Sequence, residues 1–221
     1  MEKRYPALSS FNLKRSCLMS SFISDVAFTP AVKEVQVRKG SRDTYARAEN
    51  KGMMQREISE DLADFISRQI SVFLASVSSD GAPYIQHRGG PPGFIKVLGP
   101  TTLGFVDYKG NRQYISQGNF SENPKAHLFL IDYMNRRRVK IWGEVSVIED
   151  DPDLISKLMP ADGQGHPEQV MIFEISAWDI NCPQHIPQRF EAEDVKRALE
   201  EREIRIAELE AEIEALQGAI D

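Results

Sequence analysis

Between Arg137 and Glu149 the apolar residues alternate: Val139, Ile141, Val145 and Val147 share one parity, while Lys140, Trp142, Glu144 and Ser146 share the other. That period of two is the mark of a strand with one buried face, and its polar face is free to meet a ligand. Similar blocks precede it. Val72 to Val77 is apolar and β-branched, Ser79-Asp80-Gly81 supplies a turn, and Pro83 to His87 resumes extended chain, which together read as a β-hairpin. Further strands are predicted near 94–98, 101–107, 126–133 and 169–177. Six or more strands with short connections favour a small antiparallel barrel over a parallel, doubly wound sheet.

Helical signals are fewer. Ser59 is a natural N-cap, with Glu60 and Asp61 in the first turn and Leu62, Phe65 and Ile66 as the apolar stripe, so a helix over 59–69 is predicted. Short helices are predicted over Asn111 to Gly118 and Asp151 to Met159. Residues 25–45 mix apolar and charged side chains without a long clear period and read as a segment wrapping the surface. The fold class expected is therefore mainly β (α+β), with a flexible lead over 1–22, one barrel domain over 23–190, and a separate C-terminal segment over 191–221.

That last segment differs in kind. Val195, Leu199, Arg202, Ile206, Leu209, Ile213, Leu216 and Ile220 recur at alternating spacings of four and three. Isoleucine at successive a positions with leucine at d favours a parallel two-stranded coiled coil, interrupted at Arg202. One amphipathic helix lying on its own barrel is the alternative. The segment also carries the acidity: eleven acidic and four basic side chains give it −7 of the net −6, leaving +1 for the remaining 190 residues. So small a basic excess argues against nonspecific nucleic-acid binding.

No apolar run approaches the roughly 18 residues that span a bilayer, and the first twenty residues lack a long apolar core, so a cytoplasmic protein without membrane partners is expected. Two cysteines, Cys17 and Cys182, make no disulfide framework. Cys182-Pro-Gln-His185 has a metal-like spacing but too few further ligands nearby, and no metal is expected.

The chemistry-bearing residues are arginines at element ends: Arg88, Arg112, Arg137 and Arg138. Arg88 ends a strand and is followed by Gly89-Gly90, where backbone can approach a ligand closely. Asn111-Arg112-Gln113 are expected to open a helix, whose free N–H groups favour an anion. Each arginine taken singly is more often a solvated surface group. Together they suit a phosphorylated cofactor such as FMN.

The order of the blocks resembles the FMN-binding split β-barrel of the pyridoxamine 5′-phosphate oxidase-like proteins. The pieces are Pro83 to Arg88, Phe105 to Tyr108, Asn111-Arg112-Gln113, Glu122-Asn123-Pro124-Lys125-Ala126 and Arg137-Arg138-Val139. The resemblance implies that Arg88 and Arg112 meet the FMN phosphate and that Val106 and Asp107 lie along the cofactor. It also implies that Arg138 replaces a ring-contacting glutamine and that Trp178 and Arg189 contact the flavin. Gln86, His87 and Gly89 join this cofactor-binding set through their strand. The family's phosphate-motif lysine is Gln113 here, and the oxidase's residues for the vitamin phosphate have no match in 150–170. The family further implies a homodimer with cofactor between subunits. The function expected is an FMN-dependent oxidoreductase acting on a small substrate, of the uncharacterised branch rather than the oxidase itself; the alternative is a non-catalytic flavin- or haem-binding protein for sensing or storage.

Overall fold

The computed structural model describes residues 22–161, 163, 165–181 and 183–218. The predicted lead over 1–22, apart from residue 22, lies outside them, as do Cys17, Cys182 and Ile220. The described residues fall into two compact units, one ending at Gln55 and the other beginning at Arg56.

In the first unit, a 3-10 turn Ile23–Val26 precedes α1 (Pro30–Arg38) and α2 (Arg42–Asn50). These helices replace the irregular wrapping segment expected over 25–45. Thr29 caps α1 through its side chain, which accepts from the Val32 N–H, and Pro30 stands at the first helical position, where its missing N–H costs nothing. The centre of the unit is a carboxylate. Glu49 is buried, accepts from Ser24 Oγ at 2.9 Å, and pairs with Arg42 and with Lys33 Nζ at 3.4 Å.

The second unit follows the predicted order closely. Helix α3 (Glu60–Ser67) starts at Ser59, whose side chain accepts from the Leu62 N–H, and buries Leu62, Phe65 and Ile66. Strands β1 (Ser71–Val77) and β2 (Pro83–Gly89) pair as the expected hairpin, and β3 (Lys96–Gly99) and β4 (Thr102–Tyr108) form a second. Next come α4 (Ile115–Glu122), β5 (Lys125–Asp132), β6 (Arg137–Glu149), α5 (Pro152–Leu158), β7 (Pro167–Asn181) and α6 (Ala192–Gly218). The helix expected over 111–118 thus begins four residues later. Arg112 and Tyr114 both take left-handed backbone, φ 61° and 53°, so no helix can start before Ile115.

All seven strands join one antiparallel sheet in the order β2-β1-β5-β6-β7-β4-β3. Its inner face carries Val72 and Leu74 of β1, Leu128 and Leu130 of β5, and Val139 and Ile141 of β6, packed with Phe65 of α3. Strand β4 is buried on both faces. Leu103 and Phe105 enter this main core, whereas Val106 turns to a second cluster with Leu158 of α5 and Val170 of β7.

The central strand bends where the β6–β7 register shifts between Trp142 and Gly143. A Cβ at Gly143 would lie 2.2 Å from the Glu174 carbonyl oxygen and 2.4 Å from Phe173 Cε1. Backbone on the neighbouring strand cannot yield as a flexible side chain would. Gly143→Ala should therefore cost about 2–3 kcal/mol in urea unfolding; a loss below about 0.5 kcal/mol would mean that the bulge relaxes freely.

Candidate functional site

Strand β2 stands first in the sheet order and β4 sixth, yet Arg88 Nη1 lies 2.5 Å from Asp107 Oδ1. The sheet therefore curls far enough to bring β2 against β4, and a buried ion pair lies on that seam. Alternation explains why these two residues meet. Tyr84, Gln86 and Arg88 share the more covered parity of β2, and Asp107 follows Leu103 and Phe105 on the inward parity of β4.

The carboxylate is held on both sides, with Gln169 Nε2 donating to Oδ2 at 3.0 Å. Burial pushes the Asp107 carboxyl above its ordinary range, and the Arg88 charge opposes that rise without cancelling it. The Arg88 contact is one of charge, since Oδ1 receives no well-aligned hydrogen bond. Arg88 Nε is also buried and lacks a hydrogen-bond partner among the described residues.

A polar cavity of about 260 Å³ opens beside this pair. Gln86 and Arg88 line it from β2, Asp107 and Tyr108 from β4, residues 110–114 from the connecting loop, Ile115 to Gln117 from α4, and Glu168 and Gln169 from β7. The first turn of α4 faces it, and Tyr114 at the N-cap offers no side-chain acceptor to that turn. Ser116 is buried, its hydroxyl donating to Gln86 Oε1 at 3.0 Å, which ties the helix start to β2. Arg112 is exposed. Its Nε donates to the Tyr114 hydroxyl at 3.3 Å, and that hydroxyl donates to Glu168 Oε1 at 2.8 Å. The Tyr108 hydroxyl is buried without a partner among the described residues. Two guanidiniums, an uncapped helix start and orphaned donors make a seat for an oxyanion. Residues of this kind fit the phosphate of a mononucleotide cofactor.

Six sequence-predicted residues thus meet here: Gln86, Arg88, Asp107, Asn111, Arg112 and Gln113. Others stand elsewhere. His87 lies on the opposite parity of β2, its Nε2 2.8 Å from Ser71 Oγ, and Gly89 closes the same strand. Val106 packs under α5. Trp178 is buried, with its indole N–H donated to the Glu57 carbonyl at 2.9 Å. The Arg189 guanidinium lies 4.7 Å from the Tyr133 ring centroid, and Arg138 is half-buried with Nε lacking a partner among the described residues. Arg112 lies three residues before α4 rather than within its first turn, which corrects the expectation that it opens the helix. Sequence reasoning missed Tyr114, Ser116, Glu168 and Gln169. The last two come into reach because β7 starts at Pro167, two residues before the predicted strand, and pairs Gln169 with Asp107.

The outer face of the sheet carries a second set of groups. His127 and Trp142 pair across β5 and β6 with ring centroids 4.8 Å apart, Lys140 Nζ lies 5.2 Å over the Trp142 ring, and Phe73 and Phe129 are half-buried on β1 and β5. Burial, assisted by the Lys140 charge, pushes His127 down to about 4.

The family model described as pyridoxamine 5′-phosphate oxidase matches residues 58–182. The chain belongs to this family. Its match spans α3 through β7 and so contains every residue lining the cavity. Among solved structures, HupZ of group A Streptococcus is similar at 16% identity over 60% of this chain and 99% of that one, with a TM-score of 0.47. A putative pyridoxamine 5′-phosphate oxidase from Lactobacillus delbrueckii is 22% identical over 56% and 94%, with a TM-score of 0.44. An FMN-binding protein from Syntrophomonas wolfei is 11% identical over 66% and 97%, also at 0.44. No curated protein matches the chain.

Two tests follow from these charges. Arg88→Ala strands the Asp107 carboxylate and should cost about 3–5 kcal/mol at neutral pH. A carboxyl whose folded pKa is raised contributes stability at low pH and loses it as pH rises through that pKa, so the deficit should shrink on acidification; a deficit flat with pH would show that Asp107 is not the stranded group. His127 runs the other way. Its folded pKa is depressed, so its contribution is present above 6.5 and is lost as pH falls towards about 4. Urea midpoints should decline over that range, and His127→Phe should flatten the decline; an unchanged slope would assign it to other groups.

Proposed function

We propose that this member of the family binds FMN with the phosphate in the cavity bounded by β2, the 110–114 loop and the start of α4. One observation carries the reading: the Arg88 Nε is buried, without a hydrogen-bond partner among the described residues, on the wall of a cavity that Arg112 and an uncapped helix start also line. A buried donor left unpaired costs stability, and an anion that accepts from it recovers that cost. In this reading Arg88, fixed by Asp107 and Gln169, is the rigid cation and Arg112 the adaptable one. Ser116 and the α4 backbone supply neutral donors. Asp107 and Glu168 do not touch the phosphate; they hold Arg88 and Tyr114.

FMN, when bound, supplies reversible two-electron redox chemistry, so the chain acts as an oxidoreductase on a small substrate. The protein is a homodimer in this reading, with the half-buried outer face around Phe73, His127, Phe129 and Trp142 meeting a second copy. Aromatic groups that are only half covered in one chain are the kind that interfaces bury. Arg138, Trp178 and Arg189 stand outside the phosphate cavity, and their part in holding the ring belongs to the same proposal.

The first measurement is the absorption spectrum of purified protein with identification of whatever is released on denaturation. FMN supports the reading, and haem would replace it. Arg112→Ala, at an exposed position where the fold does not depend on it, should weaken FMN binding at least tenfold by flavin fluorescence titration, and unchanged affinity would remove Arg112 from the site.

A further inference from the structure

Every residue of α6 from Val195 to Gln217 is exposed, including Leu199, Ile206, Leu209, Ile213 and Leu216, whose exposures run from 40% to 60%. The start of the stripe, at Val195, Leu199 and Arg202, borders a cavity shared with Met134 and Phe190, and beyond it the apolar residues from Ile206 to Leu216 have no cover among the described residues. We infer that the stripe is covered by α6 of a second copy, in a parallel, in-register, two-stranded coiled coil.

Spacing and charge choose that occupant. Leu199, Ile206 and Ile213 take the a positions and Val195, Arg202, Leu209 and Leu216 the d positions, the a/d pattern of two parallel strands. In the parallel pair, Arg205 at g faces Glu210 at e of the second copy, and two-fold symmetry makes this attraction twice. Antiparallel pairing that sets residue 206 against residue 209 would bring Arg205 beside Glu212 but also Glu203 beside Glu210, a like-charge contact that offsets the attraction and that the parallel pair avoids. Among the described residues Arg205 pairs with Glu208 of its own helix, Nη1 to Oε2 2.9 Å, with both side chains largely exposed, so exchanging that partner costs little. A lipid surface is a poor occupant: the helix carries nine acidic and four basic side chains, net −5, and anionic headgroups repel it.

Arg202 is the one polar d residue. In the parallel pair two guanidiniums share a layer, their aliphatic stems filling it and their heads reaching out towards Glu203 of the other strand. The inference does not depend on the flavin reading, because it uses no residue of the cavity.

Disulfide trapping tests it on the full chain. With Cys17→Ser and Cys182→Ser in place, Leu216→Cys sits at d and Ile204→Cys on the opposite side of the helix at f. Dilute oxidation followed by non-reducing electrophoresis should trap the Leu216→Cys dimer at least tenfold faster than the Ile204→Cys control, and adding Ile206→Asp with Ile213→Asp should abolish the difference. The α6 positions 199, 204, 206, 213 and 216 are all exposed, so their substitution should leave the barrel folded. Equal rates at the two positions would overturn the coiled coil. Trapping only between Leu199→Cys and Leu216→Cys chains when mixed would overturn the parallel orientation. A dimer held through the barrel alone gives the first of these results, whatever cofactor it carries.

Discussion

One buried ion pair, Arg88 with Asp107, marks the seam on which the fold turns. Backbone pairing alone leaves a sheet with two ends, β2 and β3, and nothing in its ladders requires them to approach. A guanidinium from the first strand of the order and a carboxylate from the sixth meet there, where burial costs the carboxylate more than the Arg88 charge returns. The same burial makes either partner costly when alone, so the seam tolerates both charges together but not one without the other. The cavity exists as a consequence. Where the strands end beside the pair, the 110–114 loop and α4 bridge the gap, and Gln86 and Ser116 lock that bridge to the edge strand.

Placement of the pair depends in turn on the two-sided burial of β4. One face enters the main core through Leu103 and Phe105, and the other lies under α5 through Val106 and the cluster of Leu158 and Val170. A strand pinned on both faces cannot slip, so Asp107 at its end is delivered to a fixed point against Gln169. The helix that does the pinning is itself set by a local rule. Asp151 accepts from the Leu154 N–H at 2.8 Å and Pro152 follows at the first helical position.

Much of this was legible in the residues. The β1–β2 hairpin, the α3 cap and the span of β6 follow from alternation, turn chemistry and capping, all of which act within a few residues. The helices of 30–50 were not, because the reading looked for an apolar stripe and their buried centre is Glu49, a carboxylate paired to Arg42, Lys33 and Ser24. The start of α4 was misplaced for a different reason. Left-handed backbone at Arg112 and Tyr114 is imposed by tertiary context, since neither residue is glycine or asparagine. In the site, the arginines announced themselves by charge. The partnership of Arg88 with Asp107 did not, because it spans the sheet from one end to the other.

The two guanidiniums of the cavity differ in one respect that bears on how the site behaves in solution. Arg88 is 18% exposed and already compensated by a carboxylate, whereas Arg112 stands in the open on its loop. Mobile ions screen exposed charges over a Debye length of about 8 Å at physiological ionic strength and reach enclosed ones far less. Under the proposed reading, the long-range pull on an approaching anion comes from the screened arginine, and the short-range grip from the sheltered one. Salt slows arrival at such a site more than it loosens what has already arrived.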